Sequence, residues 1–233
     1  MDFKLILGLG KPDIKKMEKE KDIKGLIRAM GYDNDESIRK EAAFALGKIT
    51  DSQSPIYTIR NENTELKDTS KDSIGNLTVE QLINSLKDEN WSIRMNAAKT
   101  LVEIGETTVE KLINSLKDEN WQVRWHTAEI LGEIGDVRGV KPLINLLNDK
   151  NNGVQSNSVI ALVKIGNPGV EILIDNLNSN EWQIREHTAE ILGEIGDVRG
   201  IVPLTRSLND ESDDVRMAAK ASLEKSNNKE WML

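Results

Sequence analysis

The sequence predicts an all-α protein, an α-solenoid of about six stacked helical-hairpin repeats. Its leucines show the rhythm first: Leu101, Leu131, Leu162, Leu192 and Leu223 follow one another at steps of 30, 31, 30 and 31 residues. Gly105, Gly135, Gly166 and Gly196 keep the same beat, and residues 126–139 are identical to 187–200, HTAEILGEIGDVRG. Each period also holds two amphipathic stripes, so one unit is a pair of helices. A single pair cannot bury its apolar stripe, so a fixed period of this length calls for neighbours stacked on one another.

Residues 108–139 show the unit most clearly. Val109, Leu112, Ile113 and Leu116 are spaced i, i+3, i+4, i+7, as on one face of a helix. Lys117-Asp118-Glu119-Asn120 breaks the pattern, and Asn120 suits the N-cap of a second helix. Val123, Thr127, Ala128, Leu131 and Ile134 make the second stripe, and Gly135 stands where a left-handed residue ends it.

Taken in order, residues 1–21 read as an N-terminal cap, with Phe3, Leu5, Ile6, Leu7 and Leu9 folding over the open end of the stack. A membrane- or partner-anchoring role is the alternative for Phe3–Leu9. Lys11-Pro12-Asp13 opens a short helix with Ile14 and Met17 facing inward. Repeat one spans 22–50. Residues 51–77 are a polar insertion, rich in Ser, Asp, Asn and Thr. A loop of that length is either a tolerated flexible excursion or a functional flap, with Tyr57 as its contact.

Repeats two to six fill 78–226. Thr78-Val79-Glu80-Gln81 has capping-box spacing, and Pro142 and Pro203 fall in first turns, where proline is tolerated. Repeat six degrades as a terminal repeat should: Lys220 replaces a small buried residue, Ser226 an apolar one and Asn227 the stop glycine. Asn227 is expected to end the helix in the left-handed conformation. The tail, 227–233, finishes with the apolar Trp231-Met232-Leu233.

Net charge is −8 with no cysteine in 233 residues, so there is neither a disulfide framework nor a thiolate ligand or nucleophile. Phe3–Leu9 is far too short to span a bilayer and lacks a cleavage pattern. A soluble, cytoplasmic, monomeric protein is the expectation.

The residues also resemble a known family. Leu112-Ile113 early in helix one, Asp118 in the turn, Val123-Arg124 opening helix two, and Ala128-x-x-Leu131-Gly132-x-Ile134-Gly135 are similar to HEAT-like repeats. The short period resembles the phycobilisome-lyase-type HEAT-like repeat. The resemblance covers about residues 22–50 and 78–226. It implies a right-handed superhelix whose second helices line the concave face. It also implies an Asp–Arg ladder carried by Asp33, Asp88, Asp118, Asp149 and Asp210 with Arg39, Arg94, Arg124, Arg185 and Arg216. Gln155 and Ser179 depart from that ladder. The family includes scaffolds, chromophore lyases and metal hydroxylases, so it specifies fold better than function.

In such an array the recurring apolar positions hold the stack, and partners are read by exposed positions that vary. One column of helix two runs Glu36, Trp91, Trp121, Asn152, Trp182, Asp213; four residues on, the next runs Lys40, Met95, Trp125, Ser156, Glu186, Met217. Four of the five tryptophans share this face, and exposed Trp and Met mark protein-binding surfaces. The helix-start tryptophans Trp91, Trp121 and Trp182 have two readings, packing over the adjacent turn or touching a partner. Trp125, deeper along the face, reads as a contact. Glu129 and Glu190 stand further along with Glu103, Glu133 and Glu194, and acid beside tryptophan suits an apolar partner surface rimmed by basic residues.

Three other readings stay weaker. Iron-hydroxylase relatives bind metal through His-Glu pairs, but His126 and His187 precede Thr127 and Thr188. The two histidines also stand two repeats apart, roughly 16–20 Å by helix stacking, while a His–metal bond is about 2 Å. A tetrapyrrole lyase or chaperone fits a Trp-lined groove, yet no acid, base or nucleophile stands out. Nucleic-acid binding needs a row of cations, and the columns offer only Lys40, Lys48, Lys99, Lys164 and Lys225, interrupted by glutamates. The expectation is therefore a non-catalytic scaffold without metal or cofactor. Its partner would be another protein, contacted by Trp91, Met95, Trp121, Trp125 and Trp182 with Glu129, Glu186 and Glu190 beside them.

Overall fold

The computed structural model describes residues 11–32, 35–51 and 79–230. The apolar Phe3–Leu9 cap, most of the insertion with Tyr57, and the Trp231–Leu233 tail lie outside the described residues. The chain divides into two compact units, Met1–Thr108 and Val109–Leu233.

In the first unit, α1 (Ile14–Lys19) and α2 (Ile23–Met30) start at Asp13 and Asp22, whose carboxylates accept from the backbone N–H of Lys16 and Gly25. Ile14 is buried and Met17 half-buried, as the spacing predicts. Both helices pack on α3 (Glu36–Asp51), and α3 packs on α5 (Trp91–Ile104), which follows the helical segment 79–85, here α4. Leu26, Leu46, Leu82, Leu86, Ile93 and Leu101 are completely buried.

The second unit holds four helical pairs: α6 (Val109–Ser115) with α7 (Trp121–Ile134), α8 (Val140–Asn145) with α9 (Asn152–Ile165), α10 (Val170–Asn176) with α11 (Trp182–Ile195), and α12 (Ile201–Ser207) with α13 (Asp213–Glu230). The second helices stack in order, α7 on α9, α9 on α11 and α11 on α13. Asn90, Asn120 and Asn151 cap their helices by accepting N–H groups two residues on, so the asparagine of the turn defines where each starts. Gly135 and Gly196 end α7 and α11 at φ of +73° and +71°, where the Cβ of an L residue crowds its own following carbonyl.

One expectation changes. The last helix does not stop at Asn227 but runs on to Glu230. Without a glycine, and with polar residues that tolerate helical geometry, nothing forces the chain into the left-handed turn. Lys220, in the place of a small buried residue, is exposed, consistent with a terminal repeat.

The stack is not uniform. At Gly132 an added Cβ would lie 2.7 Å from Ala161 Cα, and at Gly193 it would lie 2.7 Å from Ser222 Cα. Hence α7 approaches α9, and α11 approaches α13, backbone to backbone. Buried Ser222 donates its hydroxyl to the Ala189 carbonyl across that second approach at 2.9 Å. The same positions are Val102 and Val163 in repeats two and four, so glycine recurs at every second repeat.

Candidate functional site

The positions that repeat inward fix the face that points out. Val123, Ala128, Leu131 and their equivalents are buried, which leaves residues 121, 125, 129 and 133 of α7 on the opposite side of the helix. In the second unit Trp121 is 48 % exposed and Trp182 41 %. Trp91, on the first unit, is 64 % exposed. All three stand at the first position of their helices with large apolar area in water.

Trp125 is half-buried. Its ring meets His126 edge-on, centroids 4.8 Å apart, and leans toward Gly153 at the start of α9. Asn157 donates to the Trp125 carbonyl at 2.8 Å, tying that turn of α7 to α9. Met95 and Glu186 are also half-buried, Met217 is exposed, and Ile160 presents 53 % of its surface between the Glu129 and Glu190 positions.

The carboxylates divide into two rows. Glu133 pairs with Lys164 and Glu194 with Lys225, each bridging adjacent helices. One turn back, Glu129 and Glu190 face imidazoles: His126 Nδ1 lies 3.4 Å and His187 Nδ1 3.2 Å from their carboxylates. The hydrogen bond to Glu190 raises the His187 pKa, against the effect of burial, and the same bond lowers that of Glu190. Glu186 is pushed upward, first by burial and then by the like charges of Glu190 and Asp214, with His187 pulling the other way. Among the described residues no three His, Asp or Glu side chains converge as a metal site.

Sequence reasoning missed several members of this surface. Ile160 and, in the first unit, Phe44 occupy the position of Glu129, and Phe44 is 64 % exposed with Lys48 Nζ 4.6 Å above its ring. The Glu133–Lys164 and Glu194–Lys225 pairs also went unread. The alternation of Glu and Lys across repeats three to six, Glu133, Lys164, Glu194 and Lys225, was the signal that could have found them.

Helical pairs stacked through second helices, with one outer face free, define an α-solenoid. The chain belongs to the HEAT repeat family: a family model of HEAT repeats matches residues 109–180 and 170–230, and a HEAT repeat model matches 79–108. Importin beta is a structural neighbour at TM-score 0.52 and 14% identity, the alignment covering 91% of this chain and 31% of that one. An engineered protein aligns at 21% identity and TM-score 0.41, covering 89% of this chain and 97% of that chain. The complex of CpcE and CpcF of phycocyanin lyase from Nostoc sp. PCC7120 aligns at 20% identity and TM-score 0.44, covering 63% of this chain and 98% of that one. A search of curated proteins returns no match. Among the described residues no single helix is long and apolar enough to cross a membrane.

Proposed function

We propose that this HEAT-repeat protein is a non-catalytic scaffold that binds another protein on the solvent-exposed face of its second helices, the side expected to be concave. The exposure of Trp121 and Trp182, two large apolar side chains on one stacked face, supports the reading. Trp125, Glu129, Glu186 and Glu190 complete the surface in the second unit. Trp91 and Met95 hold the equivalent helix positions in the first.

The test is affinity capture from the native lysate with three proteins whose folds are first compared by circular dichroism. One is wild type, one carries Trp91, Trp121, Trp125 and Trp182 all as alanine, and one carries Val198→Ser and Val202→Ser on exposed positions away from this face. A protein retained by wild type and the valine variant but lost from the tryptophan variant supports the reading. Equal capture by all three sinks it.

A further inference from the structure

Within the second unit, repeats three and five present closely related surfaces. Residues 126–139 and 187–200 are identical, and both copies place a histidine-held carboxylate, Glu129 or Glu190, two helical turns beyond an exposed tryptophan. Between the copies, α9 offers Asn152 and Ser156, which are small and polar, and the exposed Ile160. The row of Glu133, Lys164, Glu194 and Lys225 is neutralised by its own ion pairs, although Lys225 still reaches Glu190 electrostatically. Among the described residues, Glu190 and Asp214 act on Glu186 as like charges and His187 as the opposing one. The face is thus aromatic, apolar and net acidic, in two related patches that differ at Trp125 and Glu186.

Trp125 lies four residues from Glu129, and Glu186 four residues from both Trp182 and Glu190, so indole and carboxylate are neighbours in each patch, and their complement is a guanidinium or ammonium. It gains from the ring face and from the charge together. The interval between the patches is two helix-to-helix spacings, roughly 16–20 Å. An extended chain rises about 3.1–3.4 Å per residue, so six residues cover roughly 19–20 Å. Residues i and i+6 also point the same way in either a β-strand or a polyproline II segment, since six is a multiple of both two and three.

We propose that this face of the second unit binds an extended cationic segment of a partner protein. One Arg or Lys sits against Trp125 and Glu129, a second, six residues along, sits against Trp182, Glu186 and Glu190, and an apolar side chain between them covers Ile160. The proposal rests on the reading of this face as a protein-interaction surface.

A ladder of fluorescent Gly/Ser peptides tests it. Each carries one central Leu and two Arg residues separated by three, four, six or nine positions, with an i, i+6 pair of Glu and a single Arg as controls. Binding is read by anisotropy against the full chain. The i, i+6 Arg peptide binds about fivefold tighter than its neighbours in the ladder, and its affinity falls with added salt. Glu129→Gln or Glu190→Gln, each keeping a hydrogen-bonding amide beside its histidine, reduces that peptide to the affinity of the single-Arg control. Equal affinity across all spacings, equal binding of the acidic peptide, a preference untouched by both substitutions, or no binding by any peptide overturns the proposal. The two readings fail separately. A flat ladder together with loss of lysate capture in the tryptophan variant removes the cationic register and leaves the interface.

Discussion

Arg124 of repeat three and Asp149 of repeat four meet at two points, Nε to Oδ2 at 2.7 Å and Nη2 to Oδ1 at 2.8 Å, with both side chains buried. The remaining Nη1 donates to the carbonyls of Asp118 and Glu119 in the turn of its own repeat. One side chain therefore closes a turn and fastens the next repeat to it. Arg185 does the same with Ser179 O and Asp210, and in the first unit Arg39 reaches Asp88 with one donor. Between repeats four and five the rung is gone. Gln155 stands in place of the arginine and keeps only the bond to its own turn, Nε2 to Asp149 O. The glycine approaches at Gly132 and Gly193 fall where these rungs fall, so the second unit is built from two tightly fastened pairs of repeats.

Removal of the Arg124 side chain leaves a buried carboxylate without its cation. Arg124→Ala is expected to cost about 3–5 kcal/mol, whereas Gln155→Ala, which removes one neutral hydrogen bond, costs about 1 kcal/mol. Urea denaturation of both variants beside wild type measures the difference. Equal costs would mean that the rung does not fasten the repeats.

The same rung sets the response to acid. Burial pushes the Asp149 carboxyl up, but the Arg124 hydrogen bonds and charge and the Asn151 N–H outweigh it and hold it below the usual carboxylate value. Asp210 is lowered chiefly by its hydrogen bonds to Arg185. Carboxyls depressed in the folded state stabilise it above their unfolded pKa of about 3.9, and that contribution is lost as pH falls through the folded value. In Arg124→Ala the largest contribution opposing burial is gone and the Asn151 N–H remains, so the gap in stability between the variant and wild type narrows below about pH 4. Denaturation midpoints at neutral and acid pH check this. A gap independent of pH would contradict it.

Two glycines of one helix separate steric from conformational need. Gly132 faces the Ala161 backbone, so Gly132→Ala overpacks α7 against α9 and is expected to cost about 1–3 kcal/mol despite alanine's better helix propensity. Gly135 has open space around its missing Cβ but φ of +73°, so Gly135→Ala costs about 1–2 kcal/mol through the backbone alone. Asparagine, which tolerates the left-handed region, distinguishes them: Gly135→Asn recovers most of the loss and Gly132→Asn loses more than Gly132→Ala. Thermal and urea midpoints of the four variants read this out.

Much of this was legible in the chain. The period, the Asn120 cap, the Gly135 stop and the buried stripe all follow from local chemistry that a sequence carries. The departure at Gln155 and Ser179 also marked where the Arg–Asp contact would fail. Pairing of repeats was harder to read, because it depends on how closely two backbones approach, and Gly132 or Gly193 looks like any helical glycine until its neighbour is known. Comparison of Gly132 and Gly193 with Val102 and Val163 was the available clue. The end of the last helix was misread because Asn227 permits a left-handed stop without demanding one. The division of the face into self-paired and histidine-held carboxylates needed the side chains of adjacent helices.

His187 and Glu190 give a second, gentler pH dependence. The Glu190 hydrogen bond raises the His187 pKa, so this contribution is complete below the unfolded value of about 6.5 and is lost as pH rises through the folded one. Glu190 is depressed by the same contact, so the pair contributes most while the carboxylate is ionised and the imidazole protonated. An NMR titration of the His187 ring is expected to show a pKa above that of a free histidine, falling toward it in Glu190→Gln. An unchanged titration in that variant would show that Glu190 does not set it.

The tryptophans should separate by burial. Trp125 packs against His126 and toward Gly153 while its carbonyl holds Asn157, so Trp125→Ala is expected to cost about 1–3 kcal/mol of stability. Trp121 and Trp182 keep much of their surface in water, and their alanine variants should fall within about 0.5 kcal/mol of wild type. The proposed contact with a partner predicts that these two residues contribute little to folding. Denaturation midpoints of the three single variants decide the matter. Large losses at Trp121 and Trp182 would make all three packing residues and remove the main support for the interaction face.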